Sequence, residues 1–195
     1  IIFSGKSHPA DQFGKDIIKR IFQFTKDLEN RSKVIFLEDY DIHIAKYLVQ
    51  GVDVWLNNPI RPQEASGTSG MKAGMNGALN LSVLDGWWDE AYTKEIGWEI
   101  GGGIEFYDSE EGNKKESSQI YDLLEKEIIP LFYDKNELGI SVKWVKMMKQ
   151  SILQVGSVYN THRMVSDYYI KFYQFAQIAN HRLSHNNFEE VKKLP

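Results

Sequence analysis

Cysteine is absent from all 195 residues, which excludes disulfides and thiolate metal ligands together. An excess of positive charge is absent too. Lys and Arg number 23 against 27 Asp and Glu, a formal net charge of −4, and no basic block is long enough to track a phosphate backbone. Nucleic acid is therefore not an expected partner. No apolar run approaches the roughly 20 residues needed to cross a bilayer, so a membrane is not expected either. What is present is 42% hydrophobic and 13% aromatic residues, enough for one substantial core or two small ones. The opening Ile1-Ile2-Phe3-Ser4-Gly5 lacks the charged, apolar and small-residue order of a leader and reads as a buried strand. A cytoplasmic location is the default expectation. Because the chain opens on Ile and not Met, a longer polypeptide with an upstream part is expected.

Three apolar runs read as strands, Ile1 to Phe3, Val34 to Leu37 and Val52 to Leu56, and they alternate with helical patterns. That alternation predicts an α/β fold, a doubly wound parallel sheet. The first helix is expected from Ala10-Asp11, after the turn-forming His8-Pro9, with Phe13, Ile17, Ile21 and Phe24 along it. A second covers Ile42 to Val49 and ends at Gly51. A loop from Asn57 to Gly70 follows the third strand, then a helix from Met71 to about Asn80 and a fourth strand near Leu79 to Leu84. Loops at the carboxyl ends of parallel strands are where open α/β sheets bind ligands. From Gly86 to Gly112 no period is visible. The remainder reads as helices over Ser117 to Phe132, Val142 to Val155 and Arg163 to Leu183, with a polar tail over 186–195.

Residues 64 to 88 concentrate the chemistry. Ala65 to Gly70 are small and lead into a helix whose opening amides have no intrahelical partner. Such a helix start attracts anions by about 0.3–1 kcal/mol per charge when exposed and up to ~2 kcal/mol when partly buried. Lys72 falls in the first turn of the expected helix, flanked by Met71, Ala73 and Met75. An apolar, electropositive setting disfavours the ammonium form, as a Schiff-base lysine requires. The plain alternative is a turn, an N-cap and a solvated lysine. A phosphate loop of the Walker type fails on spacing, because Lys72 follows Gly70 by two residues and precedes Ala73.

The run from Glu64 to Asn80 resembles the pyridoxal-phosphate segment of glycogen, starch and maltodextrin phosphorylases. Its continuation through Asp85-Gly86-Trp87-Trp88 is similar to the shorter bacterial and archaeal α-glucan phosphorylases in particular. Gly5-Lys6-Ser7-His8-Pro9-Ala10-Asp11, Phe36-Leu37-Glu38-Asp39-Tyr40-Asp41, Gly51-Val52-Asp53-Val54-Trp55-Leu56-Asn57 and Thr161-His162-Arg163-Met164-Val165 fall in the same order as in that subfamily. The resemblance is specific over 51–88 and looser over 89–157. It implies the GT-B fold, with residues 1–157 as its Rossmann-like, cofactor-binding C-terminal domain and 158–185 as a helix packed on that domain or on the upstream half.

Carried over by that resemblance, Lys72 holds pyridoxal 5′-phosphate through an imine. Thr68, Ser69 and Gly70 hold its 5′-phosphate at the helix start, and Tyr40 lies beside it. Glu64 accepts from a hydroxyl of the glucosyl ring, with Ala65, Ser66 and Gly67 meeting other hydroxyls through backbone N–H groups. Long animal phosphorylases carry Arg after the Tyr, where this chain has Asp41, which fits the shorter subfamily. The implied reaction is retaining phosphorolysis of α-1,4-glucans to α-glucose 1-phosphate, with the cofactor's phosphate in acid–base catalysis. The partners are then an α-glucan, inorganic phosphate and the upstream GT-B domain, and a homo-oligomer stays open. The isolated chain is expected to be inactive. The rival is the sugar-nucleotide half of a GT-B transferase without the cofactor, which has no need of Lys72.

Other candidates have plainer readings. His181 and His185 have two-His metal spacing but no third ligand, so a solvated helix end and no metal site is expected. His8 shapes a turn before proline. Gly101-Gly102-Gly103 lacks the context of a dinucleotide loop and reads as a flexible connection. Tyr168, Tyr169, Phe172, Tyr173 and Phe175 read as a helix face packed on the sheet or on the upstream half, and Trp87 and Trp88 as either core or a sugar-facing loop.

Overall fold

Apolar runs become parallel strands where the sequence places them, β-strands alternate with helices in an α/β chain, and the strands pair as one set of two and one set of three. The computed structural model describes residues 1–26, 33–103, 109–189 and 191–193. They divide into two units, Ile1–Gly51 and Val52–Pro195, so the division falls inside the span 1–157 that reads as one domain. Of the expected tail, residues 190, 194 and 195 lie outside the described residues, and His185–Phe188 and Val191–Lys193 form 3-10 turns.

In the first unit β1 (Ile2–Ser4) pairs in parallel with β2 (Ile35–Leu37), Ile2 opposite Ile35 and Ser4 opposite Leu37. The expected turn forms at His8: its Nδ1 accepts from the Ala10 amide at 3.1 Å, and its carbonyl accepts from the Asp11 amide at 2.9 Å. Asp11 caps α1 (Gln12–Lys26) by accepting from the Gly14 amide at 2.9 Å, which is why the helix starts one residue later than expected. Asp41 does the same for α2 (Ile42–Gly51) through the Ile44 amide, and that hydrogen bond holds its carboxyl below the ordinary range. The opening strand is not buried. Phe22 of α1 meets Phe36 edge to face at 6.4 Å, while Ile1 stays 72% exposed and Ile2 48%, because a two-stranded sheet within this unit leaves that apolar surface uncovered.

In the second unit β3 (Val54–Asn57), β4 (Leu79–Val83) and β5 (Gly97–Ile100) form a parallel sheet in that order. The crossovers carry α3 (Thr68–Met75) and α4 (Trp87–Ala91). β4 alternates apolar and polar, a pattern that ordinarily means one wet face, yet all five of its residues are buried. Leu79, Leu81 and Val83 join Trp98, Ile100, Ile128 and Trp144 in one core cluster, and on the opposite face Asn80 meets α3.

The segment from Gly86 to Gly112, which shows no period, contains α4, β5 and the start of α5 (Glu110–Leu123). Ser109 caps α5, accepting from the Gly112 amide at 3.0 Å, so this helix starts seven residues before the expected Ser117. It runs through a π turn (Leu124–Ile128) into α6 (Ile129–Tyr133). Pro130 is the physical cause: its ring would strike the Lys126 carbonyl in a regular α-helix, and the Ile129 amide bonds back to the Leu124 carbonyl instead. Then follow α7 (Val142–Val158), α8 (Thr161–Tyr168), a π turn (Tyr169–Tyr173) and α9 (Gln174–Ser184). No residue of the stretch 161–184 is buried within the chain, and Tyr168, Tyr169, Phe172, Tyr173 and Phe175 are all exposed, so the aromatic face does not pack on the sheet. Among the described residues no helix is long and apolar enough to cross a membrane.

Gly97 sits opposite Asn80 in the sheet, where an added Cβ would lie 2.1 Å from the Asn80 carbonyl oxygen and 3.0 Å from the Trp88 ring. Backbone cannot yield as a flexible side chain does. Gly97→Ala is therefore expected to cost about 1–3 kcal/mol, the range for overpacking, read as a lower urea midpoint of the protein. An unchanged midpoint would contradict this register.

Candidate functional site

The helix that carries Lys72 begins at Thr68 and ends at Met75, not Met71 to Asn80. Gly67 takes the N-cap position at φ 82° and ψ 45°, a left-handed conformation that glycine adopts without strain. Gly77, at φ 90°, stops the helix from continuing toward β4. Lys72 consequently lies in the second turn and not the first. Its side chain is exposed instead of set among apolar neighbours, because Met71 and Met75 turn away to pack partly buried against the cluster of Trp87, Trp88, Ile96 and Val155.

This register places Thr68 and Lys72 four residues apart on one exposed helix face. Cα–Cβ bonds of a helix tilt toward its N-terminus, so the Lys72 side chain leaves the helix on the side of Thr68 and the helix start. There the Thr68 and Ser69 amides have no partner within the helix. The Gly70 amide is already used, donating to the Gly67 carbonyl at 3.1 Å, so Gly70 serves by its missing side chain. A Cβ on Gly70 would lie 2.8 Å from Asn80 Oδ1 and 3.0 Å from Trp87 Nε1.

Behind that face the helix packs through small residues. Gly70, Ala73 and Gly74 are buried, and a Cβ on Gly74 would press on Val155 at 3.1 Å and Ser151 at 3.2 Å. Two side chains hold the helix by its carbonyls: Asn80 Nδ2 donates to Gly70 and Ser151 Oγ to Gly74, each at 3.2 Å. Neither residue stands out in the sequence; the spacing of Gly70 and Gly74 by four is the only signal of this close approach.

The acidic-then-small loop is brought to the same place. Glu64 is half-buried, and its Cγ would lie 3.7 Å from a Cβ on Gly67. The Glu64 amide donates to Asp85 Oδ2 at 2.8 Å, the Gly86 amide to Asp85 Oδ1 at 2.9 Å, and the Trp87 amide to the Ser66 carbonyl at 2.9 Å. Ser66 and Gly67 are half-buried, and Ala65 is exposed. Trp87 and Trp88 are core and not a loop surface, 4% and 0% exposed, with ring centroids 5.1 Å apart. Tyr159 meets Trp87 edge-on at 5.3 Å, and burial pushes its phenol above the usual pKa. Glu64, Ala65, Ser66, Gly67, Thr68, Ser69, Gly70 and Lys72 thus converge on one helix start.

Tyr40 belongs to the first unit, where it follows β2 and is half-buried. His181 and His185 stack at 6.3 Å, and among the described residues no group of three or more His, Asp or Glu could hold a metal ion. Gly101–Gly103 forms a 3-10 turn. A cleft of about 300 Å³ lined by Tyr92, Trp98, Glu99 and Glu127 contains none of the predicted site residues.

A family model described as carbohydrate phosphorylase matches residues 1–101. Among similar proteins, a glycogen phosphorylase of Aquifex aeolicus is 52% identical over 174 residues, covering 89% of this chain and 25% of that protein. A maltodextrin phosphorylase of Thermococcus litoralis is 43% identical over 194 residues, covering 100% of this chain and 23% of the relative. A glycogen phosphorylase of Mycobacterium tuberculosis is 41% identical over 194 residues, covering 100% and 22%. The chain thus spans about a quarter of the length of the curated relatives it matches. The matched segment takes in both parallel sheets, the loop at Glu64 and the helix of Lys72, and with them this chain belongs to the carbohydrate phosphorylase family.

Proposed function

We propose that this chain is the cofactor-carrying C-terminal part of an α-1,4-glucan phosphorylase, a glycosyltransferase with the GT-B fold whose Rossmann-like domain it supplies. The observation that carries this reading is the shared exposed face of Thr68 and Lys72 at a helix start whose first amides lack partners, beside the loop of Glu64. Pyridoxal 5′-phosphate fits that donor set. A primary amine stands one turn from an anion-attracting helix start, and behind that start Gly67 and Gly70 leave room for Trp87 to pack, since a Cβ on either would stand 3.1 or 3.0 Å from its ring. When bound, the cofactor supplies a phosphate with a second pKa near 6, able to exchange a proton with inorganic phosphate close to neutrality.

The chain's own residues then have separate tasks. Lys72 anchors the cofactor covalently, while the amides of Thr68 and Ser69, with the turn shaped by Gly70, hold its phosphate. Tyr40 lies beside the cofactor in the assembled enzyme. Glu64 accepts from a hydroxyl of the glucosyl ring, and the backbone of Ala65, Ser66 and Gly67 meets other hydroxyls. Phosphorolysis with retention releases α-D-glucose 1-phosphate from an α-glucan. The upstream half of the polypeptide supplies the opposite wall of the cleft and the partner for the exposed aromatic face of 161–184.

Borohydride reduction of the full-length enzyme followed by peptide mapping tests the reading. A pyridoxyl label is expected on Lys72. A label on another lysine would count against the role of Lys72, and no label at all would favour the sugar-nucleotide alternative.

A further inference from the structure

We infer that Asp85 is a positioning residue, whose carboxylate fastens the Glu64–Gly67 loop to the end of β4 and so sets where the Glu64 side chain points. The inference rests on the proposed sugar-binding task of that loop and goes beyond it by naming what holds the loop in place.

The loop has little of its own to hold it. Ala65 is exposed, Glu64 and Ser66 are half-buried, and none carries a large apolar side chain that could anchor the backbone by packing. Its fixed points come instead from Asp85-Gly86-Trp87. An ionised carboxylate is acceptor-only, and Asp85 spends one oxygen on each of two amides: Oδ2 on Glu64 at 2.8 Å and Oδ1 on Gly86 at 2.9 Å. The second bond orients the carboxylate for the first.

Gly86, at φ 54°, lies so near the loop that a Cβ would stand 2.6 Å from the Ser66 carbonyl oxygen and 3.1 Å from that of Glu64. Trp87 then donates its amide to the Ser66 carbonyl at 2.9 Å. Glu64 is thereby held at its amide and two residues later at a carbonyl. Its backbone direction follows from β4, a strand buried along its whole length.

Asp85→Asn is close to isosteric but turns one acceptor into a donor that faces an N–H group. In the full-length enzyme, Asp85→Asn, Glu64→Gln and the double variant are compared for kcat/KM in phosphorolysis of maltodextrin. The reverse reaction is run with glucose 1-phosphate and with its monodeoxy analogues. Asp85→Asn is expected to lower kcat/KM by on the order of 100-fold, the scale of a 1 Å misplacement. In that background Glu64→Gln is expected to cost about twofold or less, because the two residues act as one unit. Discrimination against the deoxy analogue that the wild type rejects most is expected to collapse, while borohydride labelling of Lys72 stays at the wild-type level.

Additive losses, or a variant that keeps its hydroxyl discrimination, would overturn the proposal while leaving the phosphorylase reading intact. A wild-type enzyme that neither labels at Lys72 nor makes glucose 1-phosphate overturns the reading itself, and the proposal with it. If Asp85→Asn does not fold, Gly86→Ala displaces the same loop through its Cβ and carries the same expectations and the same refutation.

Discussion

Lys72→Ala, made in the full-length enzyme, is expected to lower the rate of phosphorolysis by on the order of 10²–10⁴, the range for losing a positioned general acid or base. The loss is indirect. Lys72 lies on the exposed face of α3, four residues from Thr68. On the proposed anchoring role, what disappears with it is the tether that keeps a phosphate group at the helix start. Lys72→Arg separates the two tasks a lysine could have there. Arg preserves the positive charge and much of the length, but its guanidinium stays protonated and forms no covalent link to an aldehyde. If Lys72 acts by covalent anchoring, Arg is as inactive as Ala; if it acts by charge, Arg restores much of the rate. Steady-state rates with maltodextrin and inorganic phosphate decide between them, and an active Arg variant would remove Lys72 from the anchoring role.

The residues that made this site legible are those whose backbone tasks exclude most other side chains. Gly67-Thr68-Ser69-Gly70 reads as a helix start because two glycines flank two cap-forming hydroxyls, and a helix does start there. The helix starts three residues earlier than Met71, where the sequence pattern puts it. Thr68 and Ser69 resemble N-caps, but left-handed Gly67 takes that position, so both hydroxyl residues fall inside the helix and Lys72 moves into the second turn. Other elements were hidden by their own residues. β5 begins at Gly97, a poor strand former that is needed because the Asn80 carbonyl leaves no room for a Cβ. The cap at Ser109 is hidden in the sequence because charged residues and Gly112 follow it in place of a helical apolar stripe.

Long-range partners were the least legible. Asp85 lies 21 residues from Glu64 and Ser151 lies 77 from Gly74, and no local pattern announces either hydrogen bond. Aromatic residues were ambiguous for a different reason. Spacing shows that Tyr168, Phe172 and Phe175 share a helix face but not what covers it, and in this chain they remain exposed.

Trp88→Ala is expected to be the most destabilising single truncation beneath the site, costing about 3–5 kcal/mol. Trp88 is fully buried between Trp87, at 5.1 Å between ring centroids, and Tyr92, at 5.6 Å, in a cluster completed by Ile96 and Val155. The effect extends to the helix start. Trp87 rests on Trp88 and lies directly beneath Gly67 and Gly70, so a cavity at 88 lets Trp87 sink and withdraws support from the turn that presents Thr68 and Ser69. Cofactor should therefore dissociate faster from Trp88→Ala at temperatures where the protein is still folded. Trp88→Phe is the control, because Trp88 Nε1 has no hydrogen-bond partner among the described residues. Phe leaves a smaller cavity and also relieves a buried donor whose isolation costs about 1–3 kcal/mol, so its net loss is expected to be much smaller than that of Ala. Urea midpoints, together with the decay of cofactor absorbance between 300 and 450 nm, test both steps. Equal midpoints for Ala and Phe would mean that the ring does not carry the packing assigned to it, and unchanged cofactor release in Trp88→Ala would detach Trp87 from the support of the helix start.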